Sequence, residues 1–263
     1  MGEVKVASAA NGTALTTTAA FISLFPGTNL LRITPRNAVT AVVVRYALNP
    51  WLTVLRTADA LVTVASLLDA SRNLQDNDTA TVLNLDSFDT VTNNRFIYIG
   101  SHIQFRGVRV IIGNTNSNAS VLTVKYWNGS AWVTISATDN TAAAGATFAA
   151  TANVTWNVPS AWAVTSLNAA GDTLLRAPAE LMDPQLYWTR WEVNGIFDAS
   201  VTVTGMQAMN RVTTYDELDI ALGDAMRVFV GPKGTGCIEA LTDAGTASLI
   251  VRCATVGIGS RFI

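Results

Sequence analysis

At 263 residues the chain is long enough to bury one large core or two small ones. Hydrophobic residues make up 49% and charged ones only 14%, well under the roughly 25% charged of an ordinary soluble domain, which predicts extensive burial in an assembly. A formal charge of −2 with no Lys/Arg run argues against a nucleic-acid groove, and no apolar run approaches the ~20 residues of a membrane-spanning helix.

Strand-length runs then fill the chain. Residues 20–25 lead to the turn signal Pro26-Gly27-Thr28-Asn29, followed by 30–34 and the β-branched 39–46. Asn49-Pro50 interrupts, and 51–56 resumes. Residues 58–70 fit a short helix or a strand pair equally well. The polar stretch 71–78 marks a boundary. Beyond it lie 81–85, 95–99 and a long run at 103–112, in which Gly107 predicts a bulge or a close backbone approach.

A hairpin follows. Asn128-Gly129 suits a type I′ turn between the alternating runs 121–127 and 131–135. Pairing across it sets Leu122, Val124 and Tyr126 on one face with Ala131, Val133 and Ile135. The other face holds Thr123, Lys125, Trp127 and Trp132. Residues 142–152 read as a small-residue loop with a short edge strand, then come strands at 154–158, 186–193 and 201–209. The acidic stretch 215–219 is a second boundary, and strands at 226–230, 237–241 and 247–253 close the chain.

Short strands punctuated by Gly, Pro and Asn predict an all-β fold: a central jelly-roll-like β-sandwich over residues 79–212, and a second small β module built from the N- and C-terminal segments, 1–78 and 213–263. The sequence has no repeat of fixed period.

The residues of common chemistries do not fall into place. His102 is the only histidine, no G-x-S-x-G elbow accompanies it, and with Cys237 and Cys253 it is too scattered in sequence to form a zinc set. Asp76, Asp78, Asp86 and Asp89 lack the spacing of a calcium loop. Residues 231–236 read as a hairpin tip, because the glycine spacing of a phosphate loop is missing. Glu180, Asp183, Glu192, Asp198 and Glu239 offer no evident pair for glycoside hydrolysis. The reading is a non-enzyme without cofactor or metal. Met1-Gly2-Glu3-Val4-Lys5 carries no secretory signal, so the two cysteines are expected as free thiols. Arginines stand singly along strands (Arg32, Arg45, Arg109, Arg190, Arg252), a pattern suited to individual buried or interfacial ion pairs.

Aromatic residues remain as binding candidates. Leu186, Trp188 and Arg190 alternate with Tyr187, Thr189 and Trp191, so both faces of that strand carry a large ring, and one face needs a cover from a second element or a neighbouring chain. Trp127 and Trp132 suit a protein contact or a sugar platform. The candidate interface residues are therefore Trp127, Trp132, Trp188, Trp191 and Arg190.

The order Asn116-Ser117-Asn118-Ala119-Ser120-Val121-Leu122-Thr123-Val124, Tyr126-Trp127-Asn128-Gly129-Ser130-Ala131-Trp132, Asp139-Asn140-Thr141, Val154-Thr155-Trp156, Pro159, Trp162 and Leu186-Tyr187-Trp188-Thr189-Arg190-Trp191 resembles the β-sandwich virion proteins of tailed bacteriophages, found as head decoration (cement) proteins and as tail or fibre components. The usual Asp-Gly-Thr turn is Asp139-Asn140-Thr141 here. The resemblance covers about the central half of the chain. It implies a multi-copy structural protein, a homotrimer bound to the major capsid protein or other virion proteins at the capsid surface after synthesis in the host cytoplasm. Neither nucleic acid nor membrane is an expected partner. The alternative it implies is a tail-fibre module that binds glycans.

Overall fold

The structure of the chain, a computed structural model, describes residues 4–6, 12–25, 28, 30–36, 43–57, 67–76, 78–93, 95–167, 169–170, 184–209, 216–219, 226–229 and 235–254. Every regular element among them is a β-strand: β1 (Val4–Val6), β2 (Thr13–Leu15), β3 (Ala20–Ser23), β4 (Leu30–Arg36), β5 (Val43–Pro50), β6 (Thr53–Thr57), β7 (Leu67–Asp69), β8 (Leu83–Asn84), β9 (Ile97–Ser101), β10 (Gly107–Asn114), β11 (Leu122–Trp127), β12 (Trp132–Thr134), β13 (Thr138–Asp139), β14 (Ala152–Thr155), β15 (Val164–Thr165), β16 (Leu186–Val193), β17 (Thr202–Met209), β18 (Asp216–Asp219), β19 (Met226–Phe229), β20 (Thr235–Thr242) and β21 (Ala247–Ala254). Of the segment left open between helix and strand, residues 67–69 are strand, and 58–66 lie outside the described residues.

Two compact units result. The outer one takes Met1–Trp51, Gln75–Asn77 and Val212–Ile263, and the central one takes Leu52–Leu74 and Asp78–Arg211. The first boundary thus falls near residue 51, not 78. The reason is pairing: Thr53–Arg56 lies along Ile97–Gly100, and Leu52, Val54, Ala70 and Leu74 are buried in the central core. Such cross-strand partners leave no mark in local sequence.

The central unit stacks a five-stranded sheet, β13-β14-β10-β17-β8, on a seven-stranded one, β12-β11-β16-β9-β6-β7 with β15 along β16. Val108, Val110, Val154, Val203 and Met206 of the first face Val54, Ile97, Ile99, Val124, Trp191 and Val193 of the second. The alternation that the strand period demands is visible in β16, where Trp191 and Val193 enter this core while Leu186 and Trp188 belong to a cluster on the opposite face. Gly107 makes the close approach its position predicts: a Cβ there would lie 2.5 Å from the Val154 carbonyl oxygen.

The pairings are nested. β11 pairs β12, β10 pairs β14, β9 pairs β16 and β8 pairs β17. The chain behaves as one long double ribbon, folded over so that β10 meets β17 and β11 meets β16. The outer unit repeats the scheme: β5 pairs β18, β4 pairs β19, β3 pairs β20 and β2 pairs β21, with β4·β21 and β5·β20 joining the folded ribbon. Its core joins Leu31, Ile33, Leu249, Val251 and Cys253 of one sheet to Ile22, Val44, Tyr46, Ile238 and Ala240 of the other. In chain order the central unit lies between β5 and β18.

Removing residues 224–263 strips β19, β20 and β21 from both outer sheets, so the outer unit should unfold. Six of the seven tryptophans belong to the central unit, so native tryptophan fluorescence should survive the truncation; its loss would show that the central unit depends on the outer one. Cys237 and Cys253 are both buried and unbridged, and burial pushes both thiols up from their ordinary value. Neither should react with a thiol reagent at pH 8 until denaturant is added.

Candidate functional site

The hairpin forms with a shifted register. Trp127 pairs with Trp132, Tyr126 with Val133 and Lys125 with Thr134, so the turn centres on Gly129 and Ser130, one residue later than an Asn-Gly type I′ turn. The shift moves the pairing by two residues and therefore keeps the predicted faces. Asn128 is absent from the positive-φ residues, and only Gly129, at φ 100°, is left-handed in this loop. The Asn128 carboxamide explains the choice: its Oδ1 accepts from Ser130 N–H (2.9 Å), Ser130 Oγ (3.1 Å) and Ala131 N–H (2.8 Å). An Asx turn thus replaces the backbone turn. Asn128→Ala should lower the denaturation midpoint by an amount equal to about 1 kcal/mol.

Trp127 and Trp132 do stand together, their rings 5.6 Å apart at 65°. They lie on the outer face of the seven-stranded sheet, beside a row set by register: Thr134, Lys125, Arg190, Tyr98 and Leu55. Arg190 lies 4.7 Å from the Phe96 ring centroid and 5.2 Å from that of Trp132. Its Nε and a terminal nitrogen both donate to Glu192 Oε1, at 2.9 and 2.7 Å, and Lys125 Nζ holds the other carboxylate oxygen at 2.8 Å. Tyr98 also packs against Trp132, with ring centroids 5.8 Å apart. Trp132 Nε1 is buried without a hydrogen-bond partner.

Trp127 is itself buried and Trp132 half-buried, and the other two candidate tryptophans are fully covered. Trp191 is wholly buried in the central core, and its indole N–H donates to Thr189 Oγ1 at 3.1 Å. Trp188 points to the outer face but is also buried. The chain itself contributes to its cover, with Leu167 in the same cluster and Thr165 O accepting the Trp188 indole proton at 3.0 Å. Trp188 lies flat on the sheet because Gly100 opposite it has no side chain; a Cβ there would sit 2.5 Å from the Trp188 ring.

Sequence reasoning did not single out Phe96, Lys125 or Glu192 as the partners of Arg190. The period-2 spacing of Arg190 and Glu192 puts them on one face, but the neighbours come from β9 and β11, far off in sequence. Carboxylates considered for calcium are occupied with turns. Asp78 accepts from Ala80 N–H, Asp86 from Asn84 Nδ2, and Asp89 from Val91 and Thr92 N–H. Among the described residues no three His, Cys, Asp or Glu side chains gather as a metal set. Glu180, Asp183 and residues 231–234 lie outside the described residues.

Asp198 is a positioning group. It accepts from Ser117 N–H and Oγ, which hold its carboxyl below the ordinary 3.8. The tie is present at neutral pH and is lost as pH falls through that lowered value. Comparison with family models, with curated proteins and with solved structures finds no match.

Proposed function

We propose that the chain is a structural protein of a bacteriophage virion, most concretely a decoration protein that binds the assembled head and stiffens it. The observation that carries the reading is the doubled nested strand order. We read β8-β17-β10-β14 over β9-β16-β11-β12 as a jelly roll, and β2-β21-β4-β19 over β3-β20-β5-β18 as a second one, an architecture recurrent in capsid and lectin domains. The sequence resemblance points the same way, as does the low charge of the chain. In this role the protein does no chemistry. Copies, as homotrimers, cover boundaries between capsid subunits, and the buried area resists expansion of the shell.

The lectin reading has one specific observation in its favour, the unpaired indole N–H of Trp132, whose ring lies against Arg190. Against it, sugar stacking needs an open ring face, and Trp127, Tyr98 and Arg190 already crowd the Trp132 ring. The test has two arms. Purified protein is co-sedimented with expanded, undecorated heads and applied to a glycan array. Saturable head binding without glycan binding is the expected result. Glycan binding abolished by Trp132→Ala, with no head binding, would replace the decoration reading by the fibre one.

A further inference from the structure

The two sheets of the outer unit segregate their charge. The strands of the first, β1, β2, β4, β19 and β21, contain four arginines and a lysine but no Asp or Glu. The second has Glu239 and, on its edge strand β18, Asp216, Glu217 and Asp219, against a single cation, Arg45, which lies across from Glu217. Register concentrates the cations further: Arg252 lies directly across from Arg32, and Arg32 across from Arg227. Arg32 and Arg252 are both exposed on the face away from the core, since Leu31, Ile33, Val251 and Cys253 point inward. Neither has an ion-pair partner among the described residues. Like charges directly opposed across a ladder weaken it, so a row of arginines is a feature that an anionic partner would turn from a cost into a gain.

We infer that this arginine row docks the acidic edge strand β18 of a second copy of the chain. The argument is charge complementarity within one unit: the cationic face and the acidic edge strand belong to different sheets, so one copy carries both halves of a head-to-tail contact. Such a contact uses two different patches and closes into a ring when its rotation permits. Arginine suits the task, because its planar fork pairs with carboxylates in a bidentate fashion. The proposal rests on the multi-copy reading above and names the surface through which copies meet. Its test needs no particle, so it can fail while head binding succeeds.

The mass of the full-length protein is measured by light scattering at low salt and at about 1 M salt, where the Debye length is about 3 Å. Arg32→Glu/Arg252→Glu keeps two like charges opposed and exposed, so the fold should be unchanged by near-ultraviolet circular dichroism. The expected results are an assembly at low salt, single chains at high salt, and single chains for the double variant at any salt. Adding Glu217→Lys and Asp219→Lys, which register places together on the face away from the core, to the double variant reverses both halves and should restore the assembly. A wild-type protein that is a single chain at low salt, a double variant of unchanged mass, or a charge-swapped chain that stays apart overturns the inference.

Discussion

Replacing Trp191 by alanine is expected to cost the central unit about 4 kcal/mol, at the upper part of what buried aromatic truncations lose. The side chain is fully buried between the two sheets, its ring edge-on to Phe148 at 6.3 Å, and its N–H is bonded to Thr189 Oγ1, which itself donates to Ile99 O. The substitution opens a cavity and unpairs part of this chain of bonds at once. The loss should be confined to one unit, because Trp191 contributes to the central core while the outer core is a separate cluster. Tryptophan fluorescence should report an unfolding transition shifted to much lower denaturant. The converse variant, Leu249→Ala in the outer core, should destabilise that unit and leave the fluorescence transition in place. Equal shifts of both signals in both variants would mean that the two units unfold together.

The second large effect is expected at Asn116. This side chain is buried, and its Nδ2 donates to Asn118 O, Ser120 Oγ and Thr147 O at 2.9–3.0 Å. Its Oδ1 accepts from the N–H groups of Asn118 and Asp198, each at 3.2 Å. One carboxamide thus ties three loops of the central unit together. Phe148, held at φ 59° with its N–H on Thr141 Oγ1, anchors the same loops from below. Asn116→Ala leaves the buried Thr147 carbonyl and Ser120 hydroxyl without this donor and should cost about 3 kcal/mol, since each unsatisfied buried group carries a desolvation penalty of roughly 1–3 kcal/mol. Proteolysis within residues 140–150 should become fast in the variant and stay slow in the native protein. An unchanged cleavage rate would remove Asn116 from this role.

What could be read from sequence was local. Alternation gave the strands and the faces of the hairpin, and the all-β class followed from them. Tyr126 and Val124 turn inward as alternation requires, even though the turn between β11 and β12 is one residue off. The carboxamide of Asn128 decided that turn, and a dipeptide rule does not see which atom a side chain will choose. The boundary near residue 51 was not legible, because β6 is claimed by β9, some forty residues later. The covering of Trp188 was equally hidden. The strand pattern said that a cover was needed, but Thr165 and Leu167 carry no signal that they supply part of it. Arg32 and Arg252, which stand singly in sequence, meet only through the register of β4 and β21.

Whether this chain is a component of a virus particle is decided by quantitative mass spectrometry of particles purified from cells that make the protein. The expected result is many copies of the chain per particle, released from the head by conditions that leave the shell intact. Absence of the chain from purified particles would overturn the virion reading.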